Sequence, residues 1–376
     1  MSLGAGLRPP PARGDLDDDK AYQLAFAEAL NADREVRRHT TSGREILYRP
    51  RQLLTADADT WRVAAWLRNG GHAVTVADRF AGVTRLLFAG ETDIPGVVTR
   101  LRDPRQWPGQ PVPAVQPHHV LLGLGNIMGN PGGPPRTVAA LPPPDSARLG
   151  EGAGVTVGIC DTGIWRQAGD VHPEWLGGAY LPESDDEDPL YVHGDVLAPQ
   201  GGHGTFVAGV VRQAAPGVRV DPESALGPTG VGDEAMLVAA LGRLAPEVSV
   251  VNLSLGGFTL DDQPSLPLAN AVAGLPSTTA VVAAAGNAGI NRPVWPAALH
   301  RVLSVAAVAA TTPARCRRPT AASDRGSTPA PSASTTARSS TAGCRCRVGR
   351  PGGSAGSPPG PVPRSRRRTS RVGSPH

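Results

Sequence analysis

Three side chains in the second half of the sequence sit where a backbone could focus chemistry. Asp161 closes the apolar run VTVGIC, His203 lies in GGHGTFVAGVV, and Asn287 lies in VVAAAGNAG. A carboxylate at a strand end can hold one ring nitrogen of an imidazole as donor and leave the other free to take a proton. The positive end of a helix disfavours an imidazolium, so His203, at a helix start, is expected to be neutral. An amide such as that of Asn287, near the same sheet edge, suits a developing oxyanion. Each residue also has a bland reading. A strand-end Asp forms turns or caps, a helix-start His makes structural hydrogen bonds, and Asn between glycines tolerates left-handed backbone. Within one domain, however, each supplies what the others lack.

The elements that must position them follow from periodicity. VTVGIC, EVSVVNLSL, TAVVAAAG and RVLSVAAV are short apolar runs of the kind buried on both faces of a parallel sheet. HGTFVAGVVRQA, GDEAMLVAALGRLA and PLANAVAGL between them suit helices, with Phe206, Val207, Val210 and Val211 expected to face a core. This alternation predicts an α/β domain over 154–310 with a doubly wound, mostly parallel sheet, whose sites gather at the carboxyl ends of strands.

With these elements assigned, GVTVGICDTGIW followed by HPEW, then GGHGTFVAGVV, VVNLSLGG and VVAAAGNAG, resembles the subtilisin-like serine proteases. The resemblance implies a subtilisin-like fold and peptide-bond hydrolysis, with peptides or proteins as substrates. By motif it implies catalytic roles for Asp161 and His203, an oxyanion role for Asn287, and a substrate-lining role for Ser254, Leu255 and Gly256. No organic cofactor is expected. Calcium is admitted by the resemblance alone; ESDDEDP (183–189) is acidic but reads more simply as a solvated loop, so no metal ligand is assigned.

The nucleophile is the missing part. The family carries it in a G-T-S-x-A-x-P segment at the start of a buried helix, and no such segment occurs in the 376 residues. Gly326-Ser327, Gly353-Ser354 and Gly356-Ser357 are among the Gly-Ser pairs downstream of Asn287, and none of them precedes an apolar helix. Residues 311–376 contain no Leu, Ile, Phe, Met, Trp or Tyr, so this segment is expected to be disordered and the parallel sheet incomplete at its C-terminal side. Its Ala/Arg/Pro/Ser bias is what a GC-rich gene yields out of frame, which places a change of frame near 309–318. An incomplete sheet should expose apolar surface. A pseudoprotease that binds peptides without cleaving them is the alternative.

The region before the α/β domain divides into 1–19, expected to be disordered, a small α+β propeptide-like unit over 20–122, and a Gly/Pro-rich linker over 123–153. In the unit, AYQLAFAEALNADREVRR and DTWRVAAWLRNGG read as helices, the second with Asp59 as N-cap. HAVTVADRFAGVTRLLFAG reads as two strands around a turn, and TDIPGVVTRLRD as a capped helix.

Charge sharpens the division. The net charge of +4 conceals a tail of thirteen Arg and one acid, Asp324, a net of +12 that leaves −8 for the rest. The folded body is therefore not expected to bind nucleic acid. No apolar stretch reaches the roughly 20 residues a membrane span needs, and the first residues carry no secretory apolar core. Cys160 lies in a strand, apart from the other three cysteines, which suggests a reducing, cytoplasmic setting, or a secreted one if translation starts elsewhere.

Overall fold

Thr156–Asp161 carries the β-branched Thr156, Val157 and Ile159 and every one of its residues is buried, and such a segment is stable only with a strand on each side and a helix on each face. The computed structural model describes residues 30, 33–124, 141–180, 187–188, 190–193 and 196–307. The expectations for 1–19, for residues 125–140 of the linker, for most of the acidic run 183–189 and for the tail from 311 lie outside these residues.

The N-terminal unit begins with β1 (Arg37–Thr41), β2 (Arg44–Ala56), α1 (Thr60–Asn69), β3 (Val74–Phe80), β4 (Val83–Phe88), α2 (Ile94–Leu101) and β5 (Val115–Gly123). Its sheet is antiparallel, in the order β5-β2-β4-β3 with β1 on β2. Val63, Leu67, Leu86, Phe88, Val97 and Leu101 form its core between sheet and helices. Two details differ from the sequence reading. Arg37 and Arg38 do not end a helix; they start β1, which pairs with β2 across a turn where Ser42 and Gly43 both adopt positive φ. The pairing, a tertiary term, outweighs the helical spacing of the preceding apolar residues. Asp59 precedes α1 without capping it, because its carboxylate instead accepts from Arg62 and from the Ala114 N–H. Asp93 does cap α2, through the Gly96 N–H.

The second sheet is parallel, with β6 (Thr156–Asp161) central. Its partners are β9 (Arg219–Ser224), β11 (Val248–Leu253), β13 (Ala280–Ala284) and β14 (Val302–Val305), in the order β14-β13-β11-β6-β9. A short hairpin, β7 (Tyr191–His193) and β8 (Val196–Leu197), lies apart. α3 (His203–Ala214) covers β6 and β9, while α4 (Glu234–Arg243) and α5 (Leu266–Gly274) pack on the opposite face around Cys160, Leu237, Val251, Leu253 and Val281. β9 escaped the sequence reading because RVDPES carries charges and a proline, as an edge strand tolerates and a central one does not.

Only part of α3 faces a core. Val207 and Val211 pack against β6, but Phe206 is 53% and Val210 45% exposed, contrary to the sequence expectation. Phe206 and Val210 stack on one side of α3 and Val207 and Val211 lie about 100° further round, and the sheet covers only the second pair. Leu303 and Val305 on the edge strand β14 are exposed as well, at 65% and 51%.

Two further strands, β10 (Val231–Asp233) and β12 (Leu255–Gly256), belong by sequence to the α/β domain but pair antiparallel with β5. Gly232 and Asp233 face Leu121 and Val120, while Leu255 and Gly256 face Gly123 and Leu122. The segment at 121–124 thus continues strand β5 through the start of the region read as a linker.

Candidate active site

Asp161 is the last residue of β6 and fully buried. Its Oδ1 accepts from the Thr162 N–H at 2.8 Å and lies 2.7 Å from His203 Nδ1, while Oδ2 has no partner among the described residues. His203 opens α3, preceded by Gly202 at φ 82°. Two more links join the strand end to the helix start. Thr162 Oγ1 accepts from the Gly204 N–H at 2.9 Å, and Thr205 Oγ1 accepts from the Trp165 N–H at 2.8 Å. Gly204 is required for this approach, since a Cβ there would lie 2.1 Å from the Gly163 carbonyl oxygen. Asp-Thr-Gly-Ile-Trp and Gly-Gly-His-Gly-Thr therefore interlock residue by residue, which fixes the ring on the carboxylate.

The His203 side chain retains 20% exposure, and its Nε2 has no hydrogen-bond partner among the described residues. Burial opposes its protonation, yet the charge and hydrogen bond of Asp161, aided by the charge of Asp188, outweigh that and raise its pKa. The sequence expectation of a neutral ring rested on the helix terminus alone; the carboxylate at 2.7 Å reverses the direction.

Asp188 escaped the sequence reading as part of this site. It is 1% exposed, its Oδ2 accepts from Thr162 Oγ1 at 2.9 Å, and its Oδ1 is unpartnered among the described residues. Burial pushes its pKa up to about 7, against the opposing hydrogen bonds from Thr162 and the Gly202 N–H. The neighbouring Glu187 pairs with Arg166 at 2.5 Å. Glu187 is bound to Arg166 and Asp188 to Thr162, and the described residues hold no group of three or more candidate metal ligands.

Ser254, Leu255 and Gly256 line a groove, and strand β5 lies in it. The Leu124 N–H donates to the Ser254 carbonyl at 2.9 Å, and on the other side the Gly123 N–H donates to the Gly230 carbonyl at 2.8 Å. Asn287 follows β13, beyond Gly286 at φ 99°, and its Nδ2 donates to the Leu124 carbonyl oxygen. Leu122, Leu124, Gly256, Phe258, Asn287 and Val294 border one cavity there. The structure thus brings Asp161 to His203, and Asn287 to the backbone held by Ser254–Gly256. An extended peptide between β10 and β12 has its main chain bonded on both edges, and its last carbonyl meets an amide donor.

A second polar cluster, also unread in the sequence, ties β5 to the α/β domain. Glu234, in the first turn of α4, is fully buried. It accepts from the His119 N–H at 2.9 Å, Gln116 Nε2 at 2.8 Å and Ser265 Oγ at 2.5 Å, with His119 Nδ1 at 3.1 Å. Asp233 pairs with Arg49 at 2.9 Å and caps α4 through the Met236 N–H. A His-His pair ahead of an apolar run was the available signal; its acidic partners lie more than a hundred residues away.

A parallel sheet that delivers a strand-end carboxylate to a helix-start imidazole beside a peptide-pairing groove defines a class, the hydrolases that move protons through a carboxylate-held histidine. Residues 152–366 match the sequence model of the Subtilase family, and the chain belongs to that family of serine proteases, which act on peptides or proteins. An intracellular serine protease of Paenibacillus polymyxa is 28% identical over 199 residues, which cover 46% of this chain and 56% of that protein. The match thus spans little more than half the length of that curated relative. Among solved structures, fervidolysin of Fervidobacterium pennivorans, a keratinolytic enzyme related to subtilisin, aligns over 71% of this chain and 44% of its own at 16% identity, TM-score 0.46. The patellamide maturation protease PatA aligns over 42% of this chain and 58% of its own at 26% identity, TM-score 0.33. No described helix is long and apolar enough to cross a membrane.

Proposed function

We propose that this chain carries the proton-transfer and peptide-binding parts of a subtilase, and that its 376 residues supply no nucleophile to complete them. In this reading His203 is the general base, Asp161 orients and stabilises it, and Asn287 donates to the oxyanion. Ser254, Leu255 and Gly256, with Gly230–Gly232 opposite, bind substrate as an added strand, so main-chain bonds give affinity and side-chain pockets give selectivity.

The observation that supports this most is the position of β5. The chain's own strand enters the groove in the manner of a substrate, with the Leu124 carbonyl on the Asn287 amide. The N-terminal unit then acts as a built-in occupant of the cleft, and the bond following Leu124 is the one it presents.

The pseudoprotease reading has its own support. No hydroxyl among the described residues bonds to His203 Nε2, and no Gly-Thr-Ser segment occurs in the sequence. Without a nucleophile an acyl-enzyme cannot form, however well base and oxyanion donor are placed.

A fluorophosphonate probe, which reacts with activated serines, tests both halves. The chain as given is expected not to be labelled; labelling would overturn the missing-nucleophile proposal. A gene with the reading frame restored between codons 309 and 318 is expected to yield a labelled protein whose labelling is lost on His203→Ala. Failure of that protein to label, or labelling indifferent to His203, would end the hydrolase reading.

A further inference from the structure

Gly123 is the residue before the carbonyl that Asn287 holds, and nothing in its own backbone calls for glycine. It is absent from the residues with positive φ, so an alanine there would incur no conformational strain. Space decides instead. A Cβ at 123 would lie 3.0 Å from Gln200 Oε1 and 3.1 Å from Leu226 Cδ1, closer than carbon ordinarily packs.

Neither neighbour can retreat easily. Gln200 is 3% exposed, and its stem is pressed against Gly230, where a Cβ would meet Gln200 Cγ at 2.3 Å. Its backbone is anchored by the bond from its N–H to the Pro228 carbonyl at 3.0 Å. Leu226 is 1% exposed in the core beneath, and its N–H donates to the Asp161 carbonyl at 2.9 Å. A further sign is the Gln200 Oε1 atom, buried with no hydrogen-bond partner among the described residues. A buried acceptor left unpaired carries a cost, which implies that its position serves the shape of the groove.

We propose that Gln200 and Leu226 form a steric filter that admits glycine at the residue preceding the one whose carbonyl faces Asn287. The substrate class is then an extended peptide of the pattern apolar-apolar-glycine-apolar, the pattern of the chain's own Leu121, Leu122, Gly123 and Leu124. Leu121 and Leu122 are buried in the two flanking cores, which accounts for the apolar preference on the earlier positions. This rests on the reading of the β5 groove as the substrate site. Gln200 and Leu226 are specificity-determining residues here, with no part in the proton transfer.

The test uses the full chain and amide hydrogen exchange. Gly123→Ala is expected to speed exchange of the residue 123 and 124 amides by about tenfold or more, the size of ordinary overpacking, while Leu86 and Ile159 stay protected. In a background of Gln200→Ala with Leu226→Val, the same change should alter exchange by less than about twofold. No acceleration in the native background, or equal acceleration in both, overturns the filter. The Gly123→Ala chain, its strand loosened, is then offered fluorescent Val-Leu-Leu-Gly-Leu and Val-Leu-Leu-Ala-Leu. The glycine peptide should bind about tenfold more tightly. Equal binding overturns the filter alone, whereas binding of neither peptide removes the groove reading on which it stands.

Discussion

Glu234→Ala tests how the N-terminal unit is held on the cleft. The carboxylate is fully buried and meets four donors, two from His119 and one each from Gln116 and Ser265. Burial disfavours its charge, but the facing His119 charge and hydrogen bond, with His118 and Ser265, hold its pKa below the usual carboxylate range. Alanine would leave those donors buried without an acceptor. Each such group costs about 1–3 kcal/mol, and removal of one partner from a buried charge network typically costs about 3–5 kcal/mol in total. We expect the latter figure, since partial relaxation prevents the single costs from adding. Glu234→Gln keeps one carbonyl oxygen and turns the other acceptor into a donor, so a smaller loss, about 1–3 kcal/mol, is expected.

Urea denaturation followed by tryptophan fluorescence gives the global figure. Amide exchange at Val120–Leu122, which pair with β10, gives the local one. Acceleration there, beyond that at Ile159 in β6, would show that β5 leaves the groove first. A loss under about 1 kcal/mol for alanine, or uniform acceleration across both sheets, would refute the idea that this carboxylate fastens the strand.

Two predictions concern protonation. Asp161→Asn removes the charge that offsets burial at His203, so the imidazole pKa should fall from its raised value towards or below about 6.5; the NMR titration of the ring Hε1 reads this directly, and an unchanged midpoint would disprove the coupling. Asp188, with its pKa raised to about 7, binds its proton more tightly folded than unfolded. Its contribution to stability is full below the unfolded value near about 3.9 and is lost as pH rises through the folded value. Asp188→Asn should therefore gain stability relative to the parent between about pH 5 and about pH 8; urea midpoints at the two pH values measure it, and a constant difference would contradict the shift.

Much of the α/β domain was legible because local signals agreed. His203–Ala214 begins and ends where GGHGTFVAGVVRQA predicts, and the four apolar runs all form parallel strands. Asp161 and His203 were readable as partners because each sits at an element end, where geometry follows from local backbone. The rest depended on distant sequence. β9 was hidden by Pro222 and its charges, which mark an edge rather than disqualify a strand. The exposure of Phe206 and Val210 depends on which neighbours α3 has, and helical spacing does not report neighbours. Asp188 looked like one acid in a solvated run; burial against Thr162 gives it a different chemistry.

The amino-acid sequence by itself determined the residue types, the turns and the order in which carboxylate, imidazole and amide appear. Only the tertiary structure decided that Leu121–Leu124 fill the groove, that Glu234 meets Gln116 and His119 of the same strand, and that His203 gains rather than loses proton affinity. The physical reason is common to all three. Strand pairing, burial and charge coupling act through space between segments far apart in the chain, and their sign is set by what each side chain meets after folding.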